Sequence, residues 1–204
     1  MKKFGFKGLA ALALAATAAF TSCKKDDDGN SLLDVVSNFE VTSGLDGFKT
    51  NVVYADKADA KTAKKSTALF DADKQTTIYA VKDKNFMSIT FNGSEKGDYK
   101  LELTGTNPNT MIINYLTTDE TLDETIMNSF SAETGCLIMY GSAEDGASAE
   151  SLYVSTKAEV SITSIMKSKK AGSATKITGT FKATLMNSAN DKKEVEGKFT
   201  CLGV

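Results

Sequence analysis

The 204-residue chain contains no histidine, no arginine and no tryptophan, a single proline and three cysteines. Each absence removes a class of function. Without histidine there is no Ser-His or Cys-His nucleophilic system, no imidazole proton shuttle and no His-bearing metal site. Cysteines at positions 23, 136 and 201 are too few and too scattered for a structural zinc site. Without arginine the planar fork that grips phosphate or carboxylate bidentately is missing, which excludes an anion pocket built on Arg. No phosphate-cradling loop is present either, since Gly-x-x-x-x-Gly-Lys-[Ser/Thr] has no match and no Gly-x-Gly-x-x-Gly opens a helix.

Two further chemistries survive only weakly. Glycoside hydrolysis needs nothing but paired carboxylates, and Asp119, Glu120, Asp123 and Glu124 are available, but they sit in a polar run that reads as a solvated crossover. No catalytic residue and no enzymatic activity is therefore expected. Sugar platforms favour exposed aromatics, and of the six tyrosines Tyr79, Tyr115, Tyr140 and Tyr153 fall in strand-like runs, where packing is the expected role and a ligand site lined by them the alternative. Neither a cofactor nor a metal is expected.

What is present begins at the first residue. Met1-Lys2-Lys3 with Lys7 forms a positive segment, and Leu9 to Phe20 an uncharged Ala/Leu-rich one of signal-peptide length. That stretch is shorter than the roughly 20 apolar residues a spanning helix needs. Cys23 follows two small residues, where a peptidase at the membrane surface can cut and a diacylglycerol can be attached to the thiol. Phe20-Thr21-Ser22-Cys23 resembles the lipobox of bacterial lipoproteins, whose first position is more often Leu. The resemblance implies removal of residues 1–22 and a lipid on Cys23; an ordinary secreted protein cleaved nearby is the alternative.

Lys24-Lys25-Asp26-Asp27-Asp28-Gly29-Asn30 has no apolar residue and cannot join a core, so residues 23–31 are expected to be a flexible acidic tether. Lys24 and Lys25 followed by Asp26, Asp27 and Asp28 resemble the export signal of Bacteroidetes lipoproteins carried to the outer face of the outer membrane. This implies a lipid-anchored, cell-surface protein, with retention on the periplasmic side as the alternative. An EF-hand reading of Asp26, Asp28 and Asn30 fails, because Ser37 stands where the bidentate Glu belongs. Loss of the three leader lysines leaves 21 basic against 26 acidic residues, a formal charge near −5. That balance argues against nucleic acid as a partner.

Residues 32–204 are expected to form one all-β domain, an antiparallel sandwich or barrel of about eight strands. The runs Leu32 to Val36 and Phe48 to Tyr54, separated by the turn signal Ser43 to Gly47, are ambiguous in type. Asp56 to Lys65 is Ala/Lys-rich, a short helix or an exposed loop. From Thr76 onward apolar and polar residues alternate. Ile78 to Val81 is one strand. Met87, Ile89 and Phe91 form a second and Tyr99, Leu101 and Leu103 a third, joined as a hairpin by the turn signal at 92–97. Met111 to Leu116 reads as a further run after Pro108, while Leu122, Ile126 and Phe130 at fourfold spacing indicate a short helix or a long loop. Cys136 to Tyr140, Leu152 to Val154, and Ala158 with Val160 and Ile162 resume strand character. Ile177 to Leu185 and Val195 to Cys201 form the clearest hairpin, with acids placed to pair with Lys182 on its outer face. Gly179 and Gly197 share the inward register there, which suits close approach of a bulky neighbour.

Cys136 and Cys201 admit two readings, one disulfide in an oxidising compartment or two buried small hydrophobes. The closing stretch, with Lys176-Ile177-Thr178-Gly179-Thr180-Phe181-Lys182-Ala183-Thr184 and Glu196-Gly197-Lys198-Phe199, resembles the C-terminal portion of an uncharacterised family of Bacteroidetes β-rich lipoproteins. It implies a fold type and a surface lineage and no activity. The functional expectation is a non-catalytic binding or display module held to the membrane by its N-terminal lipid, with a protein or glycan partner. The alternative is a calycin-like carrier of a small apolar ligand in the cell envelope.

Overall fold

The computed structural model describes residues 36–53, 66–70, 75–93, 95–104, 107–117, 124–142, 151–167 and 174–202. The expectations for the leader, for Cys23, for Lys24, Lys25, Asp26, Asp27 and Asp28, and for Asp56 to Lys65 lie outside these residues. The strands are β1 (Val36–Ser43), β2 (Lys49–Val53), β3 (Ser66–Phe70), β4 (Gln75–Lys82), β5 (Asn85–Asn92), β6 (Gly97–Glu102), β7 (Cys136–Ser142), β8 (Tyr153–Lys167), β9 (Ala174–Met186) and β10 (Lys192–Leu202). Two helices, α1 (Pro108–Thr117) and α2 (Glu124–Ser131), lie between β6 and β7.

All ten strands belong to one antiparallel sheet in the order β2-β1-β10-β9-β8-β7-β5-β4-β3, with β6 paired to the far half of β8. The sheet curls until β3 comes back beside β1 and β10, giving a nearly closed barrel. Eight successive antiparallel pairings connect β3 to β2 around this ring, so the two strands that border its seam run in the same direction. A hairpin joins only opposed strands. Val53 and Ser66 consequently stand at opposite rims, and no tight turn between β2 and β3 can seal the ring.

The interior follows from period-two alternation. On β9 and β10, Ile177, Phe181, Leu185, Val195, Phe199 and Cys201 are buried, while Thr180, Lys182, Glu194, Glu196 and Lys198 between them are exposed. Rings fill the space enclosed: Phe39 stacks on Phe181 and Phe199 with centroids 5.4 and 6.2 Å apart, and Phe48 meets Phe39 edge-on at 6.0 Å. Burial of one such side chain contributes about 1.5–3 kcal/mol, and offset or edge-to-face ring pairs add about 0.5–1.5 kcal/mol.

Outside, the same alternation writes a ladder of opposite charges across six strands. Lys157 pairs with Glu102, Lys100 with Glu159, and Lys182 with Glu196 at 3.0 Å, as the sequence led one to expect. Glu40 lies between Lys49 and Lys198 at 3.2 and 3.3 Å. These pairs are solvent-exposed and contribute register more than stability. The opposite wall is covered: β5 is buried on both faces from Phe86 to Phe91, and α1 packs against β8, where outward-facing Val154 has no exposure at all.

Several elements depart from the sequence expectations. Met111 to Leu116 is not a strand but the body of α1. Pro108 occupies its first turn, where a missing N–H costs nothing, and the Asn107 carbonyl accepts from the Thr110 and Met111 amides. The strand of Tyr99 and Leu101 does not form a hairpin with β5. It crosses to β8, with Tyr99 opposite Val160 and Leu101 opposite Ala158. Leu152 to Val154 and Ala158 to Ile162 are not separate strands, because β8 runs unbroken through both and absorbs the change of phase in register shifts at Ser155/Lys157 and Ile162/Ser164. Of the two readings open for the segment with Ile126 and Phe130, the short helix is the one found, as α2, with both side chains buried.

Candidate functional site

The registers place the two rims of the barrel. The lower rim holds the start of β1 and the end of β10, since Asn38 pairs with Thr200. The β5–β6 connection and the start of β7 lie there too, and α2 closes it. The Asn92 side-chain amide donates to the carbonyls of Phe130 and Ala132, the Gly135 amide donates to Ala132 at 2.8 Å, and Phe130 is buried. The upper rim carries the turns at Gly44–Gly47, Asp83–Lys84 and Asn187–Asp191, together with the end of β7 and the start of β8.

Helix α1 reaches the upper rim at Asn109, whose side-chain amide donates to the Asn187 carbonyl, and an arc of contacts runs around the rest of the rim. Lys193 and Tyr153 both stand on the inward register, and the Lys193 Nζ sits 4.8 Å from the centre of the Tyr153 ring. Tyr153 faces Tyr140 across the β7–β8 pairing at 6.1 Å, and Tyr140 in turn meets Phe48 edge-on at 6.1 Å. Phe48 is the floor. Tied to β1 by the hydrogen bond from Val41 N to its carbonyl, it touches both Phe39 below and Tyr140 on the far wall. Beside it, Lys82 donates to the Gly47 carbonyl and so closes the arc.

Tyr140, Tyr153, Lys82 and Lys193 are half-buried. Among the described residues the two phenol hydroxyls have no hydrogen-bond partner and Lys193 has no carboxylate partner. Burial, and then the neighbouring Tyr153, push the Tyr140 hydroxyl above its ordinary value. It therefore remains a neutral group able to donate or accept. Asp46, Asp83 and Asp191 are exposed in the turns, but no carboxylate occupies the inward register of a described strand at this rim. The mouth is thus lined by the Tyr140 and Tyr153 rings and carries the Lys82 and Lys193 ammonium groups on its inward register.

The sequence-selected residues fall elsewhere. Cys136 and Cys201 are both buried and no disulfide joins them, so the disulfide reading is corrected in favour of small buried hydrophobes. Two strands separate β7 from β10. Three inter-strand steps of about 4.8 Å exceed the roughly 7 Å over which a disulfide can bridge Cα atoms. Burial, with a smaller effect of Glu159, pushes the Cys136 thiol up to about 12, which leaves it unreactive. Glu124 is exposed at the start of α2, and Asp119, Glu120 and Asp123 lie outside the described residues. Tyr79 is buried and stacks on Phe86 at 5.8 Å, whereas the side chain of Tyr115 is outside the description. Among the described residues no three His, Cys, Asp or Glu side chains cluster to hold a metal, and no helix is long and apolar enough to cross a membrane.

The mouth itself was not singled out from the sequence, although a signal existed. Extending the alternation Cys201, Phe199, Gly197, Val195 one step back puts Lys193 on the inward side, where a cation needs an explanation. No family model matches the sequence, and no curated protein and no solved structure is significantly similar to it.

Proposed function

We propose that the chain is a non-catalytic binding module, held to the outer membrane by a lipid on Cys23 and displayed at the cell surface, with the upper rim of its barrel as the binding face. The observation that carries this reading is the placement of the rims. The chain enters β1 at the lower rim, beside the end of β10 and the α2 cap, so a tether attached there leaves the upper mouth free to face away from the bilayer. The unused hydroxyls and ammonium at that mouth supply the means of binding.

A carrier of a small apolar ligand is the second reading, and the barrel shape favours it. The rings of Phe39, Phe48, Phe181 and Phe199 weigh against it, because they occupy the volume such a ligand would need. Native mass spectrometry of protein purified from its host separates the two: co-purifying lipid or pigment supports the carrier, and empty protein supports the display module.

Location is tested with Cys23→Ser. Release of that variant from the membrane fraction is expected, and loss of the domain when intact cells expressing the unaltered chain are shaved with protease. Membrane association unchanged by the substitution sinks the anchor, and survival of the domain on shaved cells sinks surface display.

A further inference from the structure

We propose that the upper mouth binds a saccharide bearing carboxylate groups, with the acid on Lys193 and a sugar face against Tyr153 and Tyr140. The proposal deepens the preceding reading and rests on it only in taking the upper rim as the binding face. Three features select this ligand class. Tyrosine rings offer apolar faces to the C–H side of a pyranose, while their hydroxyls hydrogen-bond its edge. Here two such rings stand 6.1 Å apart on adjacent strands, each with its hydroxyl unpartnered among the described residues.

The second feature is Lys193. A surface lysine ordinarily extends into water or finds a carboxylate, as Lys192, its chain neighbour, does with Glu194. Lys193 instead points inward and lies against the face of Tyr153, a weak cation–π contact. An anion replaces that partner at little loss. Lys82, across the mouth beside the Phe48 floor, keeps two N–H groups beyond the one given to Gly47.

The third is the floor. Phe48 packs edge-on against both Phe39 and Tyr140, so a ligand at the mouth rests on this ring. A neutral sugar gains the stacking and the hydroxyl hydrogen bonds but not the charge-assisted bond to Lys193.

The test uses the mature chain carrying Cys23→Ser as a soluble protein, titrated calorimetrically with a short oligogalacturonate, a neutral galactose oligomer and an oligoglutamate peptide. The oligogalacturonate is expected to bind at least tenfold more tightly than the neutral oligomer, and affinity should fall with added salt. K193Q and Y153A should each weaken it about tenfold or more, with Y153F intermediate. K193Q removes no packed ring, so a folded K193Q variant with undiminished affinity overturns the assignment even if Y153A fails to fold. Absence of oligogalacturonate binding overturns it as well, and equal binding of oligoglutamate shows the site to be a peptide site instead. None of these outcomes depends on membrane association, so failure here is distinguishable from failure of the anchored-module reading.

Discussion

Phe181 lies over Gly197, its partner in the β9–β10 register, so closely that a Cβ built on the glycine would stand 2.5 Å from two carbons of the ring. The same exchange repeats two pairs along, where Phe199 covers Gly179 at 2.8 Å. These glycines are spaces cut for rings. Gly197→Ala should cost about 1–3 kcal/mol through overpacking, measured as a shift of the denaturant midpoint at constant slope. Trimming the ring with Phe181→Leu should restore only part of it, because the Glu40 carbonyl is also 2.5 Å from the added methyl. A neutral Gly197→Ala would show that the two strands can separate freely.

Phe48 bridges opposite walls of the barrel, so its removal leaves a cavity that neither wall can fill alone. Phe48→Ala should destabilise by about 3–5 kcal/mol and expose Tyr140, which a rise in tyrosine accessibility to quenchers would report. A loss below about 1 kcal/mol would mean that the interior is not closed at this level.

Glu40 is held below the ordinary carboxylate range first by its hydrogen bond from Lys49 and then by that from Lys198, and Glu194 first by Lys192 and then by Thr184. A depressed folded pKa gives stability that is complete above the unfolded value and is lost as pH falls through the folded one. The melting temperature should therefore drop on acidification from about pH 6 to about pH 3. Glu40→Gln with Glu194→Gln should make that drop smaller while lowering stability slightly at neutral pH. Because Glu194 is exposed and Glu40 still reaches solvent the change is small; an identical acid profile in the double variant would remove these pairs as its source.

Both buried thiols should resist a water-soluble maleimide in the folded protein and react together once guanidinium unfolds it. In the Cys23→Ser chain, mass spectrometry should count two modified cysteines after unfolding and none before, without prior reduction. Modification that requires a reductant would establish the disulfide after all.

Much of the wall was legible in the sequence because its outer face is solvated. Where Lys182 and Glu196 alternate with Phe181 and Gly197, the period of two announces strand, register and facing together. Legibility failed where both faces are buried or where pairing is distant. β5 presents Phe86 to Phe91 without exposure on either side, so alternation there says nothing about the cover. Ile112 and Ile113 in α1 are β-branched and read as strand, a local preference that tertiary burial overrides. The partner of β6 is 55 to 65 residues away along the chain, and no turn signal encodes it. The mouth was hidden for a related reason: Lys193, Tyr153 and Tyr140 belong to three strands whose adjacency only the folded sheet creates.

The entry of β1 beside β10 also decides how the molecule carries load. A pull on residue 36 directed away from the upper rim acts along β1, parallel to the strand, and the five registered pairs from Asn38–Thr200 to Ser43–Glu196 resist it at once in shear. Peeling would break them one after another at far lower force. A load between residue 36 and the opposite rim thus passes along β1, the direction in which its pairs with β10 must break together and not in turn.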